Sequence, residues 1–482
     1  MSFEKRKTIE GAKWTVIIFG LTTIFAFIIN LFLAKISPEV VGYYSLVTIF
    51  ISTITTFVFV GGSTVLPTFV PKIKSRVKKA SFISSYFIML FLLVMFSMGI
   101  CILFPSIFEL FLKQKISNDL FILLLILIPF MFLLRYSQWV LNSIFEIKLS
   151  SIVEKLRVVL LFLSLPTIYM INSNFFINNF IEVLIVLTIV SYIYGIKLSF
   201  NDISKSIKVK KIKLFYFPKG FWKFLLTAQS LSILSYFFNN FDKLMVVKYF
   251  GIKELGIYSI IILIWMVGKN IPQIISMTFI PILANSIKYK KKEVKKIYEE
   301  IEYFTSFFTF FIAMVLIIFG YEILSIFGVE YAKYSYLFYY LMIASVFAIV
   351  SYANTPLLTA LEVNKVRIIN SVVQIVIQVF LTYLLIDEFQ LEGIVMALSI
   401  SVIIAQFYPF YYIIFQLDYD IKLSKVYVFA ILFTILSVIL VHFIYFSILF
   451  KLLYFFIVIM IYIRIGNYYY PIVKLLKKAM GV

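Results

Sequence analysis

The sequence is poor in charged residues, which occupy 14% of its 482 positions, whereas an ordinary soluble domain has about 25%. It also has one cysteine, Cys101, and one histidine, His442. A lone cysteine inside an apolar run excludes an internal disulfide and fits a small buried side chain, and a lone histidine argues against a metal or catalytic site. Hydrophobic residues reach 63%, which excludes a soluble enzyme, a disordered chain and a nucleic-acid-binding domain.

Long apolar runs separated by short polar breaks continue through the whole chain. A membrane-spanning helix needs about 20 apolar residues, so the runs predict an all-α polytopic membrane protein with about fourteen spans. They lie near residues 13–33, 41–62, 81–104, 119–145, 150–171, 177–198, 221–249, 255–284, 300–321, 334–359, 365–386, 392–415, 425–446 and 448–466. No small-residue cleavage site follows the first run, so we expect a retained helix and not a signal peptide.

Lysine and arginine alternate between the two sides of this arrangement. Taking the breaks in turn, 34 of the 44 cations fall on the side of the N-terminus and seven on the other side. Cytoplasmic loops carry the excess of Lys and Arg, so both termini are predicted to be cytoplasmic. No outer break exceeds about 18 residues, which leaves no room for an external catalytic domain.

An internal repeat divides the predicted spans into two sets of six. Residues 39–45 after span one and 254–259 after span seven both contain Glu, then Gly-x-Tyr followed by Ser, and residues 68–71 and 278–281 both read Thr-Phe-x-Pro. Repeats of equal orientation are related by an axis along the membrane normal, and such transporters bind substrate between their halves. We predict an N-lobe at 1–198, a basic cytoplasmic linker at 199–220, a C-lobe at 221–415, and two extra helices with a basic tail at 416–482. The linker's other interpretation is a surface attracted to anionic lipid.

These residues resemble a family of polysaccharide flippases. The resemblance rests on residues 33–35, 38–39 and 42–45, on 242–247 with 251 and 255–259, and on 354–360 with 364–365. The layout of six, six and two spans is similar to that of the O-antigen (Wzx-type) lipid-linked oligosaccharide flippases of the multidrug/oligosaccharidyl-lipid/polysaccharide (MOP) exporter superfamily. The resemblance implies two lobes around a central cavity that opens alternately to each side.

Charged side chains inside the spans need a reason, because each cation at a helix centre costs roughly 2.5–3.5 kcal/mol. Three cations lie inside spans, Arg135, Lys243 and Lys269, against one clear anion, Asp242. We predict that Arg135 and Lys269 face substrate, whereas Lys243 lies near the outer end and can also extend to the surface. Asp242 is a candidate charge partner or carrier of a coupling ion, since adjacent helix positions do not face each other.

Amide side chains recur at intervals of three or four residues, as expected for helices around a wet cavity. The predicted cavity set comprises Gln229, Asn239 and Asn240 in span seven, Asn270 and Gln273 in span eight, Asn30 in span one, and Gln374 and Gln378 in span eleven. Amides offer donors and an acceptor to sugar hydroxyls. Hydrogen bonding between helices is the alternative, and it is favoured for the hydroxyl-rich stripes of spans one and two.

A cationic interior favours an anionic ligand, so the predicted cargo is a polyprenyl-diphosphate oligosaccharide moved across the cytoplasmic membrane. The sequence has no G-x-x-x-x-G-K-[ST] phosphate loop and needs no cofactor in this reading, and coupling to H⁺ or Na⁺ is left open. A lipid II flippase and a cation-coupled multidrug exporter are the alternatives. An exporter of cations is expected to have carboxylates in its cavity. We expect a monomer, with polysaccharide polymerase or assembly machinery as candidate partners.

Overall fold

The computed structural model describes residues 3–106, 109, 117–207, 213–286, 291–421, 423–444 and 447–469. Within these ranges the regular structure is helical and includes no strand. Long apolar runs fold this way because lipid offers no partner to backbone N–H and C=O groups, and a helix pairs them internally. The predicted all-α class is therefore confirmed. Parts of three predicted basic stretches, at 208–212, 287–290 and 470–482, lie outside the described residues.

The chain divides into two compact units. The first contains Met1–Asn240 and Gly251–Gly256, and the second contains Phe241–Phe250 and Ile257–Val482. The division falls inside predicted span seven, whose residues 221–240 belong with the first unit because their side chains bond to the second helix of the chain. The predicted domain limits at 198, 220 and 415 stay predictions.

The first unit holds a series of long helices joined by short turns. In chain order they are α1 (Phe3–Ile36), α2 (Pro38–Phe57), α3 (Val65–Phe69), α4 (Arg76–Leu103), α5 (Asn118–Ser143), α6 (Ile147–Ile171), α7 (Ser173–Asn178) and α8 (Phe180–Ile207). Helix α1 packs along α6, and α5 packs along α8 and α6. Two further helices, α9 (Phe221–Tyr249) and α10 (Ile252–Met277), begin in the first unit and end in the second.

The second unit is built around one central helix, α12. Its helices are α11 (Ile280–Ser286), α12 (Lys291–Ile318), α13 (Gly320–Ser325), α14 (Val329–Ala332), α15 (Leu337–Phe347), α16 (Ile349–Ala360), α17 (Asn364–Ala405), α18 (Phe407–Tyr411), α19 (Lys425–Phe443) and α20 (Ile448–Tyr469). Helix α12 packs against α15, α16, α19 and α20, so most of its surface is buried.

Ten described helices are long and apolar enough to cross a membrane, and α15 with α16, bent by 43°, adds an eleventh if the pair is one span. Helices α6 and α9 coincide with two further predicted spans and are not among these ten. Helix α17 covers predicted spans eleven and twelve, and its backbone leaves the helical region at Gln390 (φ 52°, ψ −130°). The fourteen predicted runs thus all fall on helices, as expected for a polytopic membrane protein.

Serine residues begin several of these helices, as expected from the preference for a side-chain oxygen at an N-cap. The hydroxyl oxygens of Ser37, Ser75, Ser117 and Ser424 accept from backbone N–H groups in the first turns of α2, α4, α5 and α19. Pro38 follows Ser37 at the first helical position, where its missing N–H costs nothing. These local signals separate α2 from α1 after a break of one residue.

The two copies of the repeated motif touch each other in the first unit. A side chain on Gly42 of α2 would collide with the backbone carbonyl of Ile252, and one on Gly256 of α10 would collide with the carbonyl of Pro38. The position of a Cβ on Gly256 is also only 2.9 Å from the backbone nitrogen of Gly42. Both glycines of the repeat are therefore required by the close approach of α2 and α10.

Candidate functional site

A polar pocket of about 450 Å³ opens in the first unit between α9 and the end of α2. Its lining combines hydroxyl and amide groups with a few apolar side chains: Ser52, Thr56, Thr64, Phe224, Thr227, Ala228, Leu231, Ser232, Ser235, Tyr236, Asn239 and Asn240. Most of these residues belong to α9, where positions three and four apart share one face. The pocket therefore offers many hydrogen-bonding groups and aromatic faces, and its described lining carries no charged side chain.

Gln229 fastens α9 to the end of α2 and does not line this pocket. Its Oε1 accepts from the backbone N–H of Gly61 at 3.0 Å, and its Nε2 donates to the carbonyl of Thr56 at 2.7 Å. Gly61 has φ +82°, a conformation that favours glycine, and follows the last turn of α2. The hydroxyls of Thr53 and Tyr236 add a further contact at 2.6 Å. Gln229, predicted to bind sugar, thus has a structural role here.

Asn239 and Asn240 are held by their own helix beside the pocket. The Nδ2 of Asn239 donates to the carbonyl of Ser235 at 2.7 Å, and that of Asn240 donates to the carbonyl of Tyr236 at 3.0 Å. Asn239 is exposed and Asn240 is buried. These intrahelical bonds orient both amides without involving their carbonyl oxygens, which suit sugar hydroxyls as acceptors.

Arg135 is half-buried on α5, and it is not among the residues of the polar pocket. Its Nη1 donates to the Oε1 of Gln138, one turn along the helix, at 3.1 Å. Gln138 is only 4% exposed, and its Nε2 has no hydrogen-bond partner in the described part of the chain. The guanidinium keeps further N–H donors beyond this one bond, which suits an anion with several oxygens.

Asn30, the predicted cavity residue of span one, is buried on α1. Its Nδ2 donates to the carbonyl of Ala26 at 2.8 Å, and the residue does not line the polar pocket. The hydroxyls of Thr22 and Thr23 on the same helix also bond to carbonyls of the preceding turn. The polar side chains of this helix thus bond largely to its own backbone carbonyls.

Lys269 lies half-buried on α10, in the second unit. It lines a small cavity together with Trp265, Gly268, Pro272, Thr309, Ile312, Met342, Ser345 and Tyr352. Its Nζ lies 5.0 Å from the centre of the Trp265 ring, within range of a cation–π attraction. The indole N–H of Trp265 in turn donates to the hydroxyl of Ser345 at 2.8 Å. The cation is thus held against an aromatic face within its own unit.

Asn270 and Gln273 follow Lys269 on α10 and are both half-buried. Pro272 lies between them inside the helix. Proline leaves a carbonyl of the preceding turn without its helical partner. Neither residue lines the cavity of Lys269, so the structure does not bring these three predicted residues into one pocket.

Asp242 forms a short bond with a tyrosine in the interior of the second unit. The hydroxyl of Tyr258 donates to its Oδ2 at 2.5 Å, and both residues are buried. The Oδ1 of Asp242 has no hydrogen-bond partner among the described residues. Lys243 is the next residue and is half-buried. The carboxylate therefore has a phenol partner, which the sequence pattern did not suggest, and one oxygen left for a further ligand.

The amides of α17 are buried more deeply than a cavity-lining role requires. Gln374 is 6% exposed and Gln378 is 1% exposed. Both side-chain atoms of Gln378 lack a partner within the described ranges, and so does the Oδ1 of Asn370. Gln378 lines neither the polar pocket nor the cavity of Lys269, so its predicted contact with sugar would require another conformation.

The predicted site residues thus form two groups. Asn30, Arg135, Gln229, Asn239 and Asn240 lie in the first unit, and Asp242, Lys243, Lys269, Asn270, Gln273, Gln374 and Gln378 lie in the second. Within the first group, the pocket brings together only the two asparagines. No cluster of three potential metal-binding side chains occurs among the residues that the structure describes.

A second interior carboxylate, Glu302, was missed by the sequence prediction of one clear anion. It lies on α12 with no exposed surface, and its Oε1 accepts from the backbone N–H and hydroxyl of Ser424 at 3.1 and 2.8 Å. It lies in the first turn of predicted span nine, close after Glu299 and Glu300, so it did not stand out as a charge inside the span. The signal that could have found it is the spacing of Tyr298, Glu302, Ser306 and Thr309 on one face of a helix.

Arg157 is a further cation whose side chain bonds within the helix packing of the first unit. The sequence prediction placed it with the cytoplasmic cations at the start of span five. Helix α6 begins at Ile147, so Arg157 lies well inside it, and its Nε donates to the hydroxyl of Thr188 on α8 at 3.3 Å. Its Nη2 has no partner in the described chain. Arg157 therefore joins Arg135 as a guanidinium inside the first unit.

Solved structures with the same fold are membrane transporters. No protein-family model matches the sequence, and no curated protein sequence matches it. The lipid II flippase MurJ in an inward closed conformation is similar with a TM-score of 0.69 and 17% identity, over 94% of this chain and 98% of that one.

A multidrug resistance MATE family transporter of the MOP superfamily is similar in two conformations. Its inward-facing structure gives a TM-score of 0.59 at 13% identity, over 82% of this chain and 94% of that one, and its outward-facing structure gives 0.55 at 13%, over 87% and 97%. The chain thus has the fold of these MOP superfamily transporters, as the resemblance in the sequence implied.

Proposed function

We propose that this protein is a flippase that moves a polyprenyl-diphosphate-linked oligosaccharide from the cytoplasmic to the outer leaflet by alternating access. The head group would enter from the inner leaflet while the lipid tail stays in the bilayer. The resemblance of the sequence to Wzx-type flippases supports the choice of an O-antigen or another polysaccharide repeat unit as cargo.

The interior cations carry this proposal. Arg135 is half-buried on α5 and bonds to the neutral side chain of Gln138, and Lys269 is half-buried on α10 against an aromatic ring. Cations removed from water favour an anionic ligand because charge-assisted bonds are about twice as strong as neutral ones. A diphosphate supplies that charge, and we assign Arg135 and Lys269 to its recognition. Lys243 is a third candidate for the same role.

The polar pocket of the first unit is the proposed site for sugar. Its serine, threonine and asparagine side chains offer donors and acceptors, and Tyr236 and Phe224 offer faces for the apolar side of a pyranose ring. We place the sugar contacts on Asn239 and Asn240 within it. The amides of α10 and α17 would add contacts in another conformation.

The driving force follows from the charge of the cargo. A membrane potential that is negative inside favours outward movement of an anion by ~2.3 kcal/mol per charge per 100 mV. Coupling to H⁺ or Na⁺ is compatible with the same scheme, with Asp242 as its candidate group because one carboxylate oxygen carries no bond in the described chain.

Two other cargoes have an observation in their favour. Similarity to the lipid II flippase MurJ over 94% of the chain supports lipid II, whose head group is also a sugar on a diphosphate. Similarity to MATE transporters supports a cation-coupled multidrug exporter, and the buried Asp242 and Glu302 supply carboxylates. A cytoplasmic membrane location, a monomer and contacts with polymerase or assembly machinery belong to the polysaccharide proposal.

Flipping in liposomes tests the site assignment. Purified protein would be reconstituted with a fluorescent polyprenyl-diphosphate oligosaccharide, and the fraction reaching the far leaflet would be measured over time. We expect Arg135→Ala and Lys269→Ala each to slow flipping at least roughly tenfold, which corresponds to about 1.4 kcal/mol of lost interaction. Lys333→Ala, at an exposed cation, serves as the matched control and should keep the parental rate.

Competing substrates separate the three cargoes in the same assay. Excess unlabelled oligosaccharide lipid should suppress the signal, whereas stronger suppression by lipid II would favour that cargo. Transport of an organic cation, with no flipping of either lipid, would favour the exporter. Undiminished flipping in both variants would contradict the assignment of Arg135 and Lys269.

A further inference from the structure

One face of α12 carries a row of buried polar groups that the transport scheme does not use. Glu302, Ser306 and Thr309 follow at steps of four and three residues, so their side chains share that face. Glu302 and Ser306 have no exposed surface, and Thr309 has 4%. The Oε2 of Glu302 and the hydroxyls of Ser306 and Thr309 have no hydrogen-bond partner among the described residues.

The row continues beyond Glu302 on the neighbouring helix α16. Tyr298, one turn before Glu302, donates its hydroxyl to the Oδ1 of Asn354 at 2.7 Å. The Nδ2 of Asn354 is again without a partner in the described structure. Most buried polar groups in proteins are bonded to protein or to ordered water, so a run of orphaned groups along one line points to a hydrated path.

The other end of the row reaches Lys269. Thr309 and Lys269 line the same small cavity, which has room for about one water molecule. Side chains three or four residues apart on a helix are about 5–6 Å apart at their Cβ atoms, a gap that one water can bridge. The hydroxyls of Ser306 and Thr309 therefore connect the surroundings of Glu302 to the surroundings of Lys269.

We propose that Glu302, Ser306, Thr309 and Lys269 form a proton relay through the interior of the second unit. The proton leaves the Lys269 ammonium, passes along the hydroxyls and bridging water, and is taken up by the Glu302 carboxylate. Lys269 becomes a neutral amine and Glu302 a neutral acid, so the total charge is unchanged. Transfer removes two buried charges at once, which offsets the cost of keeping them away from water.

The relay gives Lys269 two states, charged and neutral. The charged state would hold a diphosphate and the neutral state would release it, and this consequence rests on the proposed function. Glu302 is surrounded by Glu299 and by the phenols of Tyr298, Tyr427 and Tyr462, from α12, α19 and α20. On the side of Lys269, the titratable residue among the described lining of the cavity is Tyr352.

Trp265 provides a reporter that needs no substrate, because the Lys269 amine lies over its ring. A variant with Trp14, Trp139 and Trp222 changed to Phe would keep Trp265 as its only tryptophan. The emission of the purified full-length protein would be titrated with pH, and its response to a rapid pH jump would be followed. The equilibrium midpoint reports the charge of Lys269, and the rate reports the path of the proton.

Substitutions in the variant that keeps only Trp265 distinguish two parts of the proposal. The linkage is the effect of the Glu302 charge on Lys269, and the relay is the proton transfer along the hydroxyls. Glu302→Gln should move the midpoint to lower pH, because the ammonium loses the attraction of a carboxylate. Glu302→Asp keeps the charge and should stay near the parental midpoint. Ser306→Ala with Thr309→Val should leave the midpoint in place and slow the response at least roughly tenfold, because proton transfer needs groups within hydrogen-bond reach.

Ser437→Ala is the matched control, since this buried serine on α19 already bonds to Phe433 and Tyr454. It should leave both midpoint and rate unchanged. A response of the Ser306 and Thr309 variant as fast as that of Ser437→Ala would overturn the relay, and an unmoved midpoint in Glu302→Gln would overturn the linkage. The measurement contains no lipid substrate, so its failure is distinct from failure of the flipping assay.

Discussion

At the scale of single residues, the side-chain amide of Gln378 is buried without a hydrogen bond in the described chain. It is 1% exposed, and neither its nitrogen nor its oxygen has a partner in the described chain. A buried polar group without hydrogen bonds costs on the order of 1–3 kcal/mol. A protein that keeps such a group either hydrates it or uses it in another conformation, which makes Gln378 the sharpest residue-scale test of the predicted amide stripe.

Gln378→Leu should raise the free energy of unfolding by roughly 1–2 kcal/mol, because it replaces the orphaned amide by an apolar side chain of similar size. Thermal unfolding in detergent measures this. Thr382→Val is the control, since the hydroxyl of Thr382 bonds to the carbonyl of Gln378 at 2.7 Å and its loss should bring no gain. Flipping that falls while stability rises would assign Gln378 to the substrate path, and a less stable Gln378→Leu would contradict the prediction.

Single residues also show which parts of the candidate site could not be predicted from the sequence. Arg135 and Lys269 stood out because a cation in an apolar run is conspicuous, and the structure places both in helix interiors. Glu302 and Arg157 did not stand out because they lie in the first turns of predicted spans, beside other charged residues. Their bonds to Ser424 and Thr188 depend on packing that the sequence does not show. Tyr258 and Trp265, the partners of Asp242 and Lys269, are common aromatic residues that carry no signal until the helices are packed.

At the scale of elements, the side chain of Gln229 holds two helices together by hydrogen bonds. It bonds to the N–H of Gly61 and the carbonyl of Thr56, both at the end of α2. Gln229→Leu should lower the free energy of unfolding by roughly 2–4 kcal/mol, because two backbone groups lose their partner. Chemical or thermal unfolding compares it with Ser230→Ala, an exposed neighbour on α9 that should behave like the parent. Equal stability of the two variants would exclude the fastening role.

Some helix limits follow from local chemistry. Ser37 and Pro38 separate α2 from α1, and Ser424 begins α19, as capping preferences require. The break near 386–392 is present inside α17, where Gln390 leaves the helical region. The role of Gln229 was not readable, because an amide at helical spacing predicts a polar face but not what that face meets.

At the scale of the whole molecule, the distribution of cations predicts a membrane topology that thiol labelling in intact cells can test. In a variant with Cys101 changed to Ala, Lys74→Cys and Lys333→Cys introduce thiols at two exposed positions predicted to lie on opposite sides. A membrane-impermeant maleimide should label Lys333→Cys in intact cells and Lys74→Cys only after the membrane is opened. Labelling of both positions in intact cells would contradict the alternating count.

The fold as a whole was predictable because lipid restricts the options so strongly. Apolar run length gives the helices without reference to any packing detail, and the alternation of basic breaks predicts their direction. The association of residues 221–240 with the first unit was not predictable, since it depends on bonds between distant parts of the chain such as Thr53 with Tyr236. Long-range contacts of this kind leave no mark on composition.

The contact between Gly42 and Gly256 has a consequence for the history of the sequence. Two copies of a motif that touch each other cannot diverge independently, because each backbone occupies the space that a side chain of the other would need. A methyl group gained in one copy has no compensating reduction available in the other, which already has no side chain. Variation among related sequences should therefore accumulate away from this crossing and be lowest at these two glycines.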